Sequence, residues 1–207
     1  KALADYNKAI ELNLDPVESF VFFWRASFFK SIKEFDKAII DVNKAIEVEE
    51  KVGFNDFNDD LYEREHLSSY YNFRGLIYAN EKKEYNKALE DYNQAIKYLK
   101  EKTDRTTYYY RADLYAKMNN FDKAIADCEL TIKMDNKDPE GYYKLALVYK
   151  NQGRFNKSIS QVTKSITLFE IMDEVKYIIN SEDYTYNLSI SDLYLFRANL
   201  FNKIGKK

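Results

Sequence analysis

The chain has 207 residues, 45% of them hydrophobic and 16% aromatic, with 5 Gly, 2 Pro, one Cys and one His. Lys and Arg number 32 against 34 Asp and Glu, a net charge of -2 that gives no electrostatic footing for nucleic acid or an anionic membrane surface. A lone Cys128 excludes an internal disulfide framework and fits a reducing, intracellular (cytoplasmic) setting, and a single His66 leaves no set of soft or imidazole ligands for zinc.

Few glycines and prolines beside frequent Lys, Glu, Ala, Leu and Ile predict an all-α chain. Residues 1–14 open with KALADYNKAI, whose small and apolar side chains recur at helical spacing. Asp15 before Pro16 and Glu18 predicts an N-cap, and the helix it starts carries Phe22, Ala26 and Phe29 on one face. KAIIDVNKAI (Lys37 to Ile46) then repeats the opening phrase. A polar segment, GFNDFNDD, follows within an insertion over 51–68, with an early start to the next helix near Asp60.

The same pair of elements returns downstream. Tyr71, Gly75 and Tyr78 precede KALEDYNQAI; Tyr108, Ala112 and Tyr115 precede KAIADCELTI; Tyr142, Ala146 and Tyr149 precede KSISQVTKSI. Asp138 before Pro139 predicts a second N-cap. A second insertion, 169–189, extends the helix before it and breaks near Asn180 to Asp183; Tyr194, Ala198 and Phe201 then begin one more first helix. Between paired helices a short polar turn (KKE, MNN, NQG) leads to an aromatic three residues before the small one: Phe35, Tyr85, Phe121, Phe155. Gly75 to Tyr85 is ten residues where the other units have nine, a one-residue insertion.

Five in-register copies, with 34 residues from Ala124 to Ser158, resemble the tetratricopeptide repeat. The resemblance implies an α-solenoid of tandem helix-turn-helix repeats wound as a right-handed superhelix. The expected array runs as a truncated repeat (1–14), repeats at 15–50, 69–102, 103–138 and 139–168 around the insertions 51–68 and 169–189, and a truncated repeat at 190–207. The chain begins without Met and inside a second helix, and is expected to be part of a longer array.

The resemblance also implies a concave groove, lined by first helices, that receives an extended peptide or a helix from a protein partner. Its residues should lie two and three positions before each small residue: Phe23 and Trp24, Asn72 and Phe73, Tyr109 and Tyr110, Tyr143 and Lys144, Leu195 and Phe196. The rival reading packs these rings between neighbouring first helices. The clamp of Lys, Asn and Arg with which some relatives hold a carboxylate-terminated chaperone tail is absent, since Phe23, Ser27, Phe73, Thr106 and Tyr110 stand there. Lys30, Lys117, Lys144 and Lys150 add positive charge to the groove, offset by Asp113 and Glu140.

No glycine-rich phosphate loop is present, and Cys128 and His66 fall in different units, so no catalytic role and no cofactor or metal is expected. Cys128 shares a core column with Tyr6, Val42, Tyr92 and Val162, and His66 reads as part of a solvated face. Asp56, Asn58 and Asp60 have calcium-loop spacing, but Leu61 and Leu67 replace the required Gly and Glu. Alternatives to partner binding are self-association through uncapped ends and an accessory role in a larger protein.

One column departs from the family. Arg25, Arg74, Arg111 and Arg197 stand where Leu is usual, and only Leu145 keeps the apolar form. The acidic column of the second helices reads Asp41, Asp91 and Asp127, then Gln161 in the unit with Leu145. Joint loss of Arg and Asp predicts ion pairs Arg25 with Asp41, Arg74 with Asp91, and Arg111 with Asp127. The rival is that these Arg point into the groove for a ligand carboxylate.

Overall fold

The computed structural model describes residues 1–12, 19–52, 61–99, 105–179 and 189–205, and every regular element among them is helical. They divide into two compact units, Lys1–Thr107 and Tyr108–Lys207. The first holds α1 (Ala2–Glu11), α2 (Ser19–Ser31), α3 (Phe35–Val52), α4 (Leu61–Ile77) and α5 (Tyr85–Tyr98), with the first turn of α6 (Arg105–Lys117). The second holds the rest of α6, α7 (Phe121–Met134), α8 (Pro139–Asn151), α9 (Phe155–Ile179) and α10 (Ile190–Lys203). No helix among the described residues is long and apolar enough to cross a membrane.

Each first helix folds back on a second helix, giving hairpins α2/α3, α4/α5, α6/α7 and α8/α9. The second helices bury a narrow stripe; in α5 it is Ala88, Asp91, Tyr92 and Ala95, spaced as one helix face requires. The small residues of the first helices meet this stripe, and volume is traded across the contact. Ala26 shares a core with Val42, Ala112 with Cys128, and Ala146 with Val162. Opposite Tyr92 the first helix has Gly75, where a Cβ would lie 2.6 Å from the Tyr92 ring. Glycine is required there by close approach, because Tyr92 is fully packed and its ring has nowhere to go.

The three expected ion pairs are present as two-pronged contacts within each hairpin. Arg25 donates from Nε to Asp41 at 2.6 Å and from Nη2 at 2.7 Å. Arg74 reaches Asp91 at 3.0 and 2.6 Å, and Arg111 reaches Asp127 at 2.9 and 2.7 Å. The guanidinium fork matches a carboxylate, which Lys would not do. Burial pushes the Asp91 carboxyl up against the pull of Arg74, while Asp91 overcomes the burial of Arg74 and raises its pKa. The remaining nitrogen of two of these Arg continues to the preceding second helix: Nη1 of Arg25 donates to Asn7 on α1 at 2.8 Å and Nη1 of Arg74 to Asn43 on α3 at 2.5 Å. Rings lie under the guanidinium carbons, Phe29 with its centroid 5.9 Å from that of Arg25 and Tyr71 5.1 Å from that of Arg74. These Arg groups are consumed internally, and the reading that they wait for a ligand fails.

The insertions lengthen helices. α3 has 18 residues and α9 has 25, against 14 each in α5 and α7, and α4 starts at Leu61. The GFNDFNDD segment, the Asp56, Asn58 and Asp60 set, the Asp15 cap and the break near 180 lie outside the described residues. The single extra residue before Tyr85 is absorbed as a π-turn, Tyr78–Lys82, which widens one turn of α4 and keeps both flanking helices in register. The Asp138 cap forms as expected, accepting from the Glu140 amide at 2.9 Å ahead of Pro139. All four hairpin turns carry a left-handed residue two positions before the turn's aromatic: Lys33, Lys83, Asn119 and Gly153, with φ of 63°, 59°, 59° and 79°.

Candidate functional site

The first helices carry the candidate surface, and the two columns expected to line it behave differently. Residues two before the small position keep surface in every repeat: Trp24 is 53% exposed, and Phe73, Tyr110, Lys144 and Phe196 are half-buried. Residues three before it turn toward the next first helix and are covered wherever one follows. Phe23 packs on Tyr70 and Phe73, with ring centroids 4.8 and 5.1 Å away. Asn72 is buried and donates to Thr107 Oγ1 at 2.7 Å. Tyr109 is buried and donates to Asp138 at 3.0 Å, its hydroxyl pushed up chiefly by burial. Tyr143 meets Phe196 edge-on at 5.5 Å, and Leu195 on α10, the last described helix, is 61% exposed. Asn72 and Tyr109 are therefore corrected from the exposed strip to helix-to-helix contacts.

In the first unit the surface is built by α2 and α4. Phe20, Phe23 and Trp24 share a face at spacings of three and four, and Trp24 lies 4.8 Å from Phe20. Phe73 adds its ring from α4, and Lys30 places Nζ 4.9 Å from the Phe73 centroid. In the second unit Tyr143 and Phe196 form the counterpart, with Lys150 Nζ 5.2 Å from the Phe196 centroid. Lys144 is paired with Asp113 at 3.2 Å; burial works against its ammonium, but Asp113 outweighs that and raises the pKa. Phe20 belongs to the surface without having been singled out, although it stands one helical turn before Trp24, and the buried Tyr70 supports Phe23 from beneath.

A polar cluster lies below this surface in the first unit. Ser19 donates to Glu49 and lies 2.9 Å from the Tyr70 hydroxyl, so Tyr70 is the donor in that second contact. His66 Nδ1 is 3.3 Å from the other Glu49 oxygen, and its ring stacks on Tyr70 at 5.9 Å. This corrects the solvated reading of His66: the early start of α4 lays the ring against Glu49, which is buried. Serine, histidine and a carboxylate meet here in the wrong order for a nucleophile. The Ser19 proton goes to Glu49 and not to imidazole, so the three do not form a serine, imidazole, carboxylate relay. Cys128 is fully buried, and desolvation pushes its thiol far up, away from the reactive thiolate. Among the described residues no three His, Cys, Asp or Glu side chains converge as metal ligands.

Comparison with known proteins agrees with this geometry. The sequence profile of the tetratricopeptide repeat matches residues 68–99, 106–138 and 139–170. Human sperm-associated antigen 1 is 27% identical over 110 residues, 53% of this chain but 11% of that protein's length. Among solved structures, BtubC (BKLC) from P. vanneervenii superposes with a TM-score of 0.75 at 15% identity, covering 99% of this chain and 82% of that one. PilW, a type IV pilus biogenesis factor, gives 0.67 at 15% identity over 98% and 80%. YrrB, a protein of this repeat class with an unusual peptide-binding site, gives 0.57 at 15% identity over 98% and 84%. At such identities the likeness establishes the fold, an all-α array of tandem helix-turn-helix repeats of α-solenoid type.

Proposed function

Because this is a chain of tetratricopeptide repeats, we propose that it is a non-catalytic protein-interaction scaffold whose first helices dock a peptide or helix of a partner against an aromatic strip. The observation that carries the reading is Trp24. It is 53% exposed on a helix that already contacts α3 and α4, and it stands beside Phe20, Phe23 and Phe73. A large rigid ring left in water amid other rings is a typical binding anchor, and burying it under a ligand contributes about 1.5 to 3 kcal/mol. In the second unit, taken by itself, the corresponding docking residues are Tyr110, Tyr143 and Phe196, with Lys144 beside them. YrrB, of the same fold, has a peptide-binding site.

The test is selection of binding peptides on the whole chain, followed by Trp24→Ala and Phe73→Ala. The expected result is at least a tenfold loss of affinity for Trp24→Ala with the melting temperature little changed. Unaltered affinity overturns the reading. Self-association is the second reading, favoured by α10: Ala198 is exposed there, unlike its buried counterparts Ala26, Ala112 and Ala146, next to exposed Tyr194 and Leu195. A monomer in light scattering removes it.

A further inference from the structure

Six cations of the first helices fall into two groups. Arg25, Arg74 and Arg111 are locked onto Asp41, Asp91 and Asp127, and Lys144 onto Asp113. Lys30 and Lys150 differ. Each is half-buried, and each lays its ammonium over a ring of the following first helix, Phe73 at 4.9 Å and Phe196 at 5.2 Å. Neither has an ion-pairing carboxylate among the described residues. The two occupy one register position, four residues after Ala26 and Ala146, and the rings beneath them also share a register, two residues before Gly75 and Ala198. The intervening repeats carry Ala79 and Ala116 at the lysine position. The device is thus repeated as a unit, cation together with ring.

Resting on the docking surface proposed above, we infer that the occupant of the first unit's surface is an acidic peptide with at least one bulky apolar side chain, a carboxylate of it set on Lys30. Charge complementarity carries the choice. α2 has no acidic residue at all, and with Arg25 neutralised by Asp41 its remaining positive charge is Lys30, next to exposed Trp24. An aromatic face stabilises an ammonium by its quadrupole while leaving the net charge uncompensated, so the pair together forms a site for an anion beside an apolar ring. The second unit repeats the arrangement at Lys150 and Phe196, although Lys144 there is already matched by Asp113.

The experiment measures fluorescence anisotropy of two labelled peptides against the full chain. One alternates Glu and Asp with Phe and Leu; the other replaces each acid by Gln or Asn. The inference expects the acidic peptide to bind at least tenfold tighter, and its affinity to fall with added salt. Lys30→Gln should weaken it about fivefold, Lys30→Arg should restore most of that, and neither should move the amide peptide. Equal affinity for both peptides overturns the inference, as does indifference of the acidic peptide to Lys30→Gln, or no binding of either. The underlying docking reading fails separately, when Trp24→Ala leaves every selected binder unaffected.

Discussion

Hairpins α4/α5 and α8/α9 have the same backbone plan and are closed by different chemistry. In the first, Arg74 grips Asp91 while Ala88 and Ala95 pass the partner helix without polar contact. In the second, Leu145 and Gln161 replace the ion pair, and the two Ala positions become Ser158 and Ser165, fully buried, whose hydroxyls donate to the carbonyls of Ala146 and Pro139 at 2.7 Å each. The volume trade at the small column also differs: Gly75 against Tyr92 in one, Ala146 against Val162 in the other. Close packing of the small column is common to both, and polar closure is interchangeable. That agrees with the general finding that a buried ion pair and an apolar replacement of similar volume stabilise to similar extents, whereas half a pair does not.

The largest effect should come from breaking the charge closure on one side. Asp91→Asn leaves the guanidinium of Arg74, with only 20% of its side chain exposed, without its carboxylate. Chemical denaturation should show a loss of about 2 to 3 kcal/mol, below the range for fully buried pairs because Arg74 keeps some water. An unchanged midpoint would mean that the pair adds nothing beyond Asn at that site. Next comes Gly75→Ala, whose new methyl collides with the Tyr92 ring. Overpacking should outweigh the better helix propensity of Ala and cost about 1 to 2 kcal/mol. Adding Tyr92→Val, the pairing used by Ala26 and Ala146, should recover much of that loss; a simple sum of the two single effects would deny the volume trade.

A smaller loss is expected on the other side of the comparison. Ser165→Ala deletes one hydroxyl donor and should cost about 1 kcal/mol in thermal unfolding, and Ser158→Ala a similar amount. If both are neutral, the second hairpin is held by packing alone. The smallest change should follow from transplantation. Arg74→Leu with Asp91→Gln gives the first hairpin the side chains of the second, and the double variant should lie within about 1 kcal/mol of the parent, well above Asp91→Asn alone. A double variant as unstable as the single one would show that the two hairpins are not equivalent frames.

Much of this was legible beforehand, for identifiable reasons. Tandem repetition aligns equivalent positions within one chain, so the joint disappearance of Arg at 145 and Asp at 161 exposed a contact between helices sixteen residues apart. The extra residue before Tyr85 was visible as a count, but its absorption in a π-turn depends on backbone energetics that letters do not carry. Asn72 and Tyr109 were misplaced because their covering comes from the next first helix, through Thr107 and Asp138. His66 was misplaced for a related reason: the early start of α4 sets it beside Glu49 of the preceding hairpin. Repeat logic assigns a face within a hairpin; it is weakest where the spacing between hairpins departs from the norm.

The left-handed turn residues have an energetic corollary of their own. A side chain with a Cβ pays about 1 kcal/mol to sit at such a φ, and glycine pays almost nothing. Lys33 and Lys83 carry that strain, Asn119 carries less, and Gly153 is free of it. In a repeat array each hairpin opens and closes partly on its own account, so strain at a turn sets how often that hairpin frays. Amide exchange should accordingly grade along the chain, faster beside Lys33 and Lys83 and slower beside Gly153. The turns, which touch neither the core nor the docking surface, would then act as rheostats for local breathing.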